Sequence, residues 1–156
     1  MNKIAVGDPA PDFGFESTDP SIHSFKDLLG KNIVLYFYPK DNTPGCTLEG
    51  QNFKALYPAF LEVNTQILGI SRDLLASHQK FCAKLGLPFP LITDRDEKLC
   101  KYFNVIIEKN MFARLVFGIE RSTFLIDEKG IIRHIWRKVK VNHHAEEVLS
   151  FVKNMK

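Results

Sequence analysis

The sequence predicts an α/β fold in which a mixed central β-sheet is flanked by helices on both faces. Two observations carry this expectation. Short apolar runs of strand character alternate with segments of helical spacing through much of the chain, and the C-terminal part reads strand, turn, strand, helix. Strands that alternate with helices and end in a hairpin make a sheet with both parallel and antiparallel pairs. At 156 residues the chain fits one domain, spanning residues 1–156, with a full hydrophobic core.

The elements follow in order. The opening VGDPAPDFGFES is Pro-rich and extended, because Pro fixes its own φ and pushes its predecessor towards β. NIVLYFY, Asn32 to Tyr38, is a continuous apolar run that suits a central strand covered on both faces. From about Thr47 to Leu61 the spacing is helical, with a kink or break expected at Pro58. TQILGIS, Thr65 to Ser71, is a second buried strand. A helix follows over Leu74 to Leu85, ended by Gly86 and Pro88. Pro90 to Thr93 is a short strand, and Glu97 to Phe103 a short helix. Ser122 to Trp136 reads as a hairpin turning at Gly130, and His144 to Asn154 as a closing helix begun by the His143–His144 pair. The segment Ile106 to Gly118 is long and apolar with little punctuation, so no element is assigned to it.

Composition narrows the function classes. A chain 45% hydrophobic and 25% charged is that of an ordinary globular protein, and thirteen Phe supply much of its core. A formal charge of +3 does not argue for nucleic acid. The densest basic run, Arg133 to Lys140, partly alternates with apolar residues and reads as a strand with a solvated face. No signal peptide is visible, and no apolar run approaches the ~18 residues that a membrane span needs. The expectation is a cytoplasmic protein without membrane contact. Three cysteines, an odd number, argue against a secreted disulfide scaffold. Cys46, Cys82, Cys100, His143 and His144 form no metal-ligand spacing, and no glycine-rich phosphate loop is present.

One cysteine stands apart. In YFYPKDNTPGCTLEGQNF, Cys46 follows a strand and a Pro- and Gly-bounded loop and lies at the start of a helix. Unpaired N–H groups and the helix macrodipole favour negative charge there, and thiolate is the nucleophilic form of cysteine. Pro39, Pro44 and Gly45 can shape a tight pocket floor, and the Thr43 hydroxyl can donate to the sulfur or to an oxygen bound beside it. Two readings stand on these residues alone: a reactive thiol, or a small buried hydrophobe at a turn.

The residues around it carry a resemblance. Pro39, Thr43 and Cys46 form the P-x-x-x-T-x-x-C arrangement of the peroxiredoxins, and FYPKDNTPGCT resembles their bacterioferritin-comigratory, or Q-type, subfamily. GDPAPDF, ILGISRD, GLPFPLITD, STFLIDEKG and the late NHH match that family in the same order, so the likeness covers nearly the whole chain. The resemblance implies a thioredoxin-like fold and an antioxidant peroxidase that reduces hydrogen peroxide and organic hydroperoxides. Cys46 would be its peroxidatic nucleophile, oxidised to a sulfenic acid. Thr43, the backbone N–H groups beside the cysteine, and Arg121 would stabilise the moving charge, and Pro39 would shield the site from water. Glu49 either orients Arg121 or simply complements the helix dipole. No haem, flavin or metal is implied.

The resemblance also bears on the other cysteines. Many relatives carry a resolving cysteine five residues after the first, where this chain has Gln51; another branch carries it on the next helix, where this chain has Cys82, 82 − 46 = 36 residues on. Cys82 is therefore expected to resolve the sulfenic acid as an intramolecular disulfide, with plain core packing as its other reading. Cys100 reads mainly as packing. Thioredoxin or a similar dithiol is the implied reductant, and a monomer the implied state. Two alternatives stay open: a one-cysteine peroxidase resolved by an external thiol, and a thiol-disulfide exchanger without peroxidase activity. The apolar stretch Met111 to Phe117 reads first as loop packing, and otherwise as an apolar rim or a contact to another chain.

Overall fold

The computed structural model describes residues 3–155; the outermost residues of the expected domain, Met1, Asn2 and Lys156, lie outside them. In chain order the elements are β1 (Glu16–Ser17), β2 (Asn32–Phe37), α1 (Pro44–Glu62), β3 (Thr65–Ser71), α2 (Leu75–Leu85), β4 (Leu91–Thr93), α3 (Lys98–Tyr102), β5 (Ile106–Met111), β6 (Arg114–Ile119), β7 (Ser122–Ile126), β8 (Ile132–Trp136) and α4 (His144–Lys153), with a 3₁₀ turn at Phe25–Leu28. Six strands make one sheet in the order β1-β4-β3-β2-β7-β8, and β5 and β6 form a separate two-stranded ribbon. β2, β3 and β4 are parallel, while β1, β7 and β8 join antiparallel. The sheet is mixed, as expected.

The apolar run of β2 divides by the two-residue period of a strand. Ile33, Leu35 and Phe37 point into a core shared with Phe25, Leu99, Phe103 and Phe124, under α3 and the 3₁₀ turn. Val34 and Tyr36 point into the opposite core, with Phe53 and Phe60 of α1, Phe81 of α2 and Val148 of α4. Both faces are covered, which is why the run shows no polar alternation. Among the described residues no helix is long and apolar enough to cross a membrane.

Four expectations change. α1 begins at Pro44 rather than about Thr47, because Pro suits the first helical position, where the missing N–H costs nothing. Pro58 neither breaks nor ends α1. The carbonyl it leaves without its helical partner belongs to Lys54, an exposed residue. The unassigned segment is a hairpin whose turn residues Phe112 and Ala113 both take positive φ, 52° and 60°. Neither residue is a usual choice for such a turn, so no Asn-Gly signal announced it. Loop packing also fails for its apolar residues: Phe112 is 93% exposed, and Met111, Leu115 and Phe117 are exposed as well. The basic run does begin as a strand, β8, as expected; Arg133 on it reaches Asp127, and Arg137 just past its end donates to the Phe103 and Asn104 carbonyls.

Candidate active site

The site forms at the carboxyl end of the parallel strands, where α/β folds commonly place ligands. The chain leaves β2 through Tyr38 and Pro39, turns at Asn42 with φ 64°, and enters α1 at Thr43. Thr43 caps the helix with extended backbone, and Pro44, Gly45 and Cys46 form its first turn. Cys46 is buried and unpaired. The first N–H groups of a helix have no acceptor within it, so they face whatever lies at this end.

Arg121 arrives from a distant part of the chain by strand register. β7 runs antiparallel to β2 with Ser122 opposite Phe37, which sets Arg121 level with the loop that follows β2. Its Nη2 donates to Cys46 Sγ at 3.5 Å, and its Nη1 donates to Glu49 Oε1 at 2.6 Å. The guanidinium therefore bridges two residues one helical turn apart. Gly45 makes the approach possible, since a Cβ there would lie 3.1 Å from Arg121 Nη2.

The electrostatics follow from burial. Glu49 is almost wholly buried, and its second oxygen, Oε2, has no donor among the described residues. Burial pushes its carboxyl up to about 7, and the adjacent Arg121 charge only partly offsets this. Burial lowers Arg121, but Glu49 and Cys46 outweigh it and hold the guanidinium above its ordinary value. Behind Arg121, His144 is buried with Nε2 2.8 Å from the Thr123 hydroxyl; burial, with the nearby Arg121 charge, pushes it down to about 4. The neutral ring shares a hydrogen bond with that hydroxyl.

Of the expected residues, the structure brings Cys46, Arg121 and Glu49 into contact. Pro39 lies half-buried in the loop before them. The Thr43 hydroxyl gives its one hydrogen to the Lys40 carbonyl at 2.9 Å rather than to the sulfur, which leaves its lone pairs as acceptors. Cys82 sits on the last turns of α2, half-buried, beside a groove of about 310 Å³ lined by Thr18, Gln79, Leu87 and Phe89. Burial raises its thiol, partly offset by a hydrogen bond from Thr18. Cys46 and Cys82 border the same apolar cluster. Cys100 lies in the opposite core, and burial beside Asp94 pushes its thiol far up. Sequence reasoning missed Asp41, Ser77 and His78, which join in a buried network beside the Cys46 loop. Their only signal was the position of His78 one turn before Cys82.

Comparisons with known proteins agree with this geometry. Residues 6–135 match the model of the AhpC/TSA family. The curated peroxiredoxin Bcp of Xanthomonas campestris is 56% identical over 124 residues, covering 80% of this chain and 78% of that protein. A solved PrxQ mutant from Xylella fastidiosa superposes with a TM-score of 0.91 at 46% identity, covering 98% of each chain. A solved Xanthomonas campestris bacterioferritin comigratory protein, described by its alkyl peroxide reduction activity, gives 0.86 at 48% identity, covering 91% of this chain and 90% of that one. Two solved mutants of Xanthomonas PrxQ each replace one cysteine by serine, at positions 36 residues apart.

A thiol in the first turn of a helix, faced by an arginine at the end of a thioredoxin-like sheet, defines a thiol peroxidase. The chain belongs to the AhpC/TSA family, and within it to the peroxiredoxins of the Bcp, or Q, type. Its substrates are hydroperoxides and its electrons come from thiols, as that family implies.

Proposed function

We propose that this chain, as one domain spanning residues 1–156, reduces hydrogen peroxide and organic hydroperoxides with Cys46 as nucleophile and Cys82 as resolving residue. The observation that carries this reading is the Arg121 guanidinium, 3.5 Å from Cys46 Sγ and fixed by Glu49. The Cys46 thiolate attacks one peroxide oxygen in line. The S–O bond forms as the O–O bond breaks, and the leaving oxygen departs as water or alcohol after taking a proton. Negative charge moves from sulfur to that oxygen, and Arg121, with the first-turn N–H groups, is placed to follow it. Pro39 limits water at the pocket. Thr43 accepts a hydrogen bond from the peroxide hydroxyl at the lone pairs that its bond to Lys40 leaves open.

Cys82 then closes a disulfide with Cys46. Its place beside the same apolar cluster supports this, as does its spacing of 82 − 46 = 36 residues, the spacing of the two cysteines replaced in Xanthomonas PrxQ. Thioredoxin, or a similar dithiol, restores the thiols through a mixed disulfide. Cys100, sealed in the far core, takes no part. The working form is a monomer in the cytoplasm, a reducing compartment where its three free thiols persist until substrate oxidises them.

Two variants test the assignment. Cys46→Ser should abolish peroxide consumption, and Arg121→Ala should slow the reaction of Cys46 with peroxide by roughly 100-fold or more, as loss of one preorganised donor does. Stopped-flow measurement of peroxide loss checks both. Undiminished turnover in the serine variant would remove Cys46 from the chemistry, and a wild-type rate constant in the alanine variant would remove Arg121.

A further inference from the structure

The two segments that carry Cys46 and Cys82 are tied together by a buried polar network. His78 lies on α2, one turn before Cys82, and Asp41 lies in the loop five residues before Cys46; both side chains are buried. His78 Nδ1 is 2.8 Å from Asp41 Oδ2. Asp41 also accepts from the Tyr38 hydroxyl at 2.7 Å and from the Ser77 hydroxyl at 2.8 Å. The other ring nitrogen, Nε2, is 3.0 Å from the carbonyl of Ile92 in β4. A carbonyl only accepts, so Nε2 carries a hydrogen and donates it. The loop backbone is held as well, since Asp41 N–H donates to Asp73 Oδ2 at 2.9 Å. Burial pushes the Asp41 carboxyl up, but hydrogen bonds from His78 and Tyr38 outweigh it and hold it below its ordinary value. Among the described residues the network makes no hydrogen bond to Cys46, Arg121 or Glu49.

A buried polar network that is fully satisfied rigidifies what it joins, and removing one partner from it is strongly destabilising. A disulfide brings its two Cα atoms to within about 4.4–6.8 Å. Here the two thiols ride on different helices, and a buried polar anchor of α2 lies at the turn just before Cys82, beside the exposed bond from Lys54 Nζ to the Leu85 carbonyl.

We propose that His78 is a positioning residue that, through Asp41, latches α2 to the Cys46 loop and so sets the rate at which Cys82 closes on oxidised Cys46. This rests on the assignment of Cys82 as the resolving residue. In that step the Cys82 thiolate attacks Sγ of the Cys46 sulfenic acid. The S–S bond forms, the S–O bond breaks, and the departing hydroxide combines with the proton that Cys82 released, giving water. The latch takes no part in these bond changes; it governs how often the end of α2 leaves its folded place.

The test separates the two steps in reduced full-length protein. One equivalent of hydrogen peroxide is added to wild type, His78→Leu and His78→Asn, and the rates of peroxide loss and of disulfide closure are read independently. His78→Leu should close the disulfide about tenfold faster or more, as expected for a buried acid that loses its partner. It should also need more peroxide to reach the sulfinic acid. His78→Asn, whose Nδ2 can replace Nδ1 opposite Asp41, should return closure most of the way to the wild-type rate. Ser77→Ala, which removes the other α2 donor to Asp41, should accelerate closure by a smaller factor and covers the case in which His78→Leu does not fold. Closure unchanged in these variants, or accelerated equally by Leu and Asn, would overturn the latch. If wild type forms no Cys46–Cys82 disulfide, the assignment of Cys82 falls and takes the latch with it.

Discussion

Glu49 and His144 flank Arg121 with opposite proton preferences, and this fixes how the site responds to pH. Glu49 has its folded value raised from 4.5 to about 7, so the native state binds the extra proton between those values and loses stability as pH rises through about 7. His144 has its folded value lowered from 6.5 to about 4, so the unfolded state binds the extra proton and the native state loses stability as pH falls from about 6.5 towards 4. Between pH 4.5 and 6.5 the two slopes oppose one another. Glu49→Gln should therefore leave a protein that loses stability steadily on acidification through this window, and His144→Gln one that loses stability as pH rises through it. Urea unfolding midpoints between pH 4 and 8 read this directly. Parallel profiles for wild type and both variants would contradict the assignment of these shifts.

Among the elements, β3 is tightly constrained at Gly69 by what lies beside it. Gly69 faces the Tyr36 ring across the sheet, and a Cβ there would meet Tyr36 Cζ at 2.8 Å, its hydroxyl at 2.9 Å and Leu91 Cδ2 at 2.7 Å. Tyr36 cannot yield, because its ring stacks on Phe53 of α1 at 4.7 Å between centroids. Gly69→Ala should cost about 1–3 kcal/mol, the usual penalty for overpacking a filled core, and lower the thermal midpoint accordingly. An unchanged midpoint would mean that the β2–α1 packing is looser than these distances. The same elements show what sequence can reveal. β2, β3, α2 and the β7–β8 hairpin were legible because their apolar runs end in Pro, Gly or turn residues. The β5–β6 ribbon was not, since its turn rests on Phe112 and Ala113 and its faces carry no period that a core imposes. At Pro58 the helix continues without a break, and the carbonyl freed by the missing N–H belongs to Lys54, an exposed residue.

At the level of the whole molecule, the site joins residues that are local in sequence with residues that only the sheet brings together. Cys46, Thr43 and Pro39 could be read from one loop. Arg121 stood out only through its likeness to the family, because a strand register 75 residues away sets its place. The Asp41–His78 pair was illegible, since neither residue's neighbours in the chain mark it as half of a pair. The same division holds for the cysteines: Cys82, like Arg121, stood out only through its likeness to the family, while the burial of Cys100 in the far core is visible only in the fold. The central claim is that one thiol takes the oxygen and the other releases it. The direct measurement is to add one equivalent of hydrogen peroxide to reduced protein, alkylate the remaining thiols, and map the product by peptide mass spectrometry. A Cys46–Cys82 disulfide with Cys100 alkylated is the predicted result. Cys82 fully alkylated, with Cys46 held as a sulfenic acid or left untouched, would contradict it.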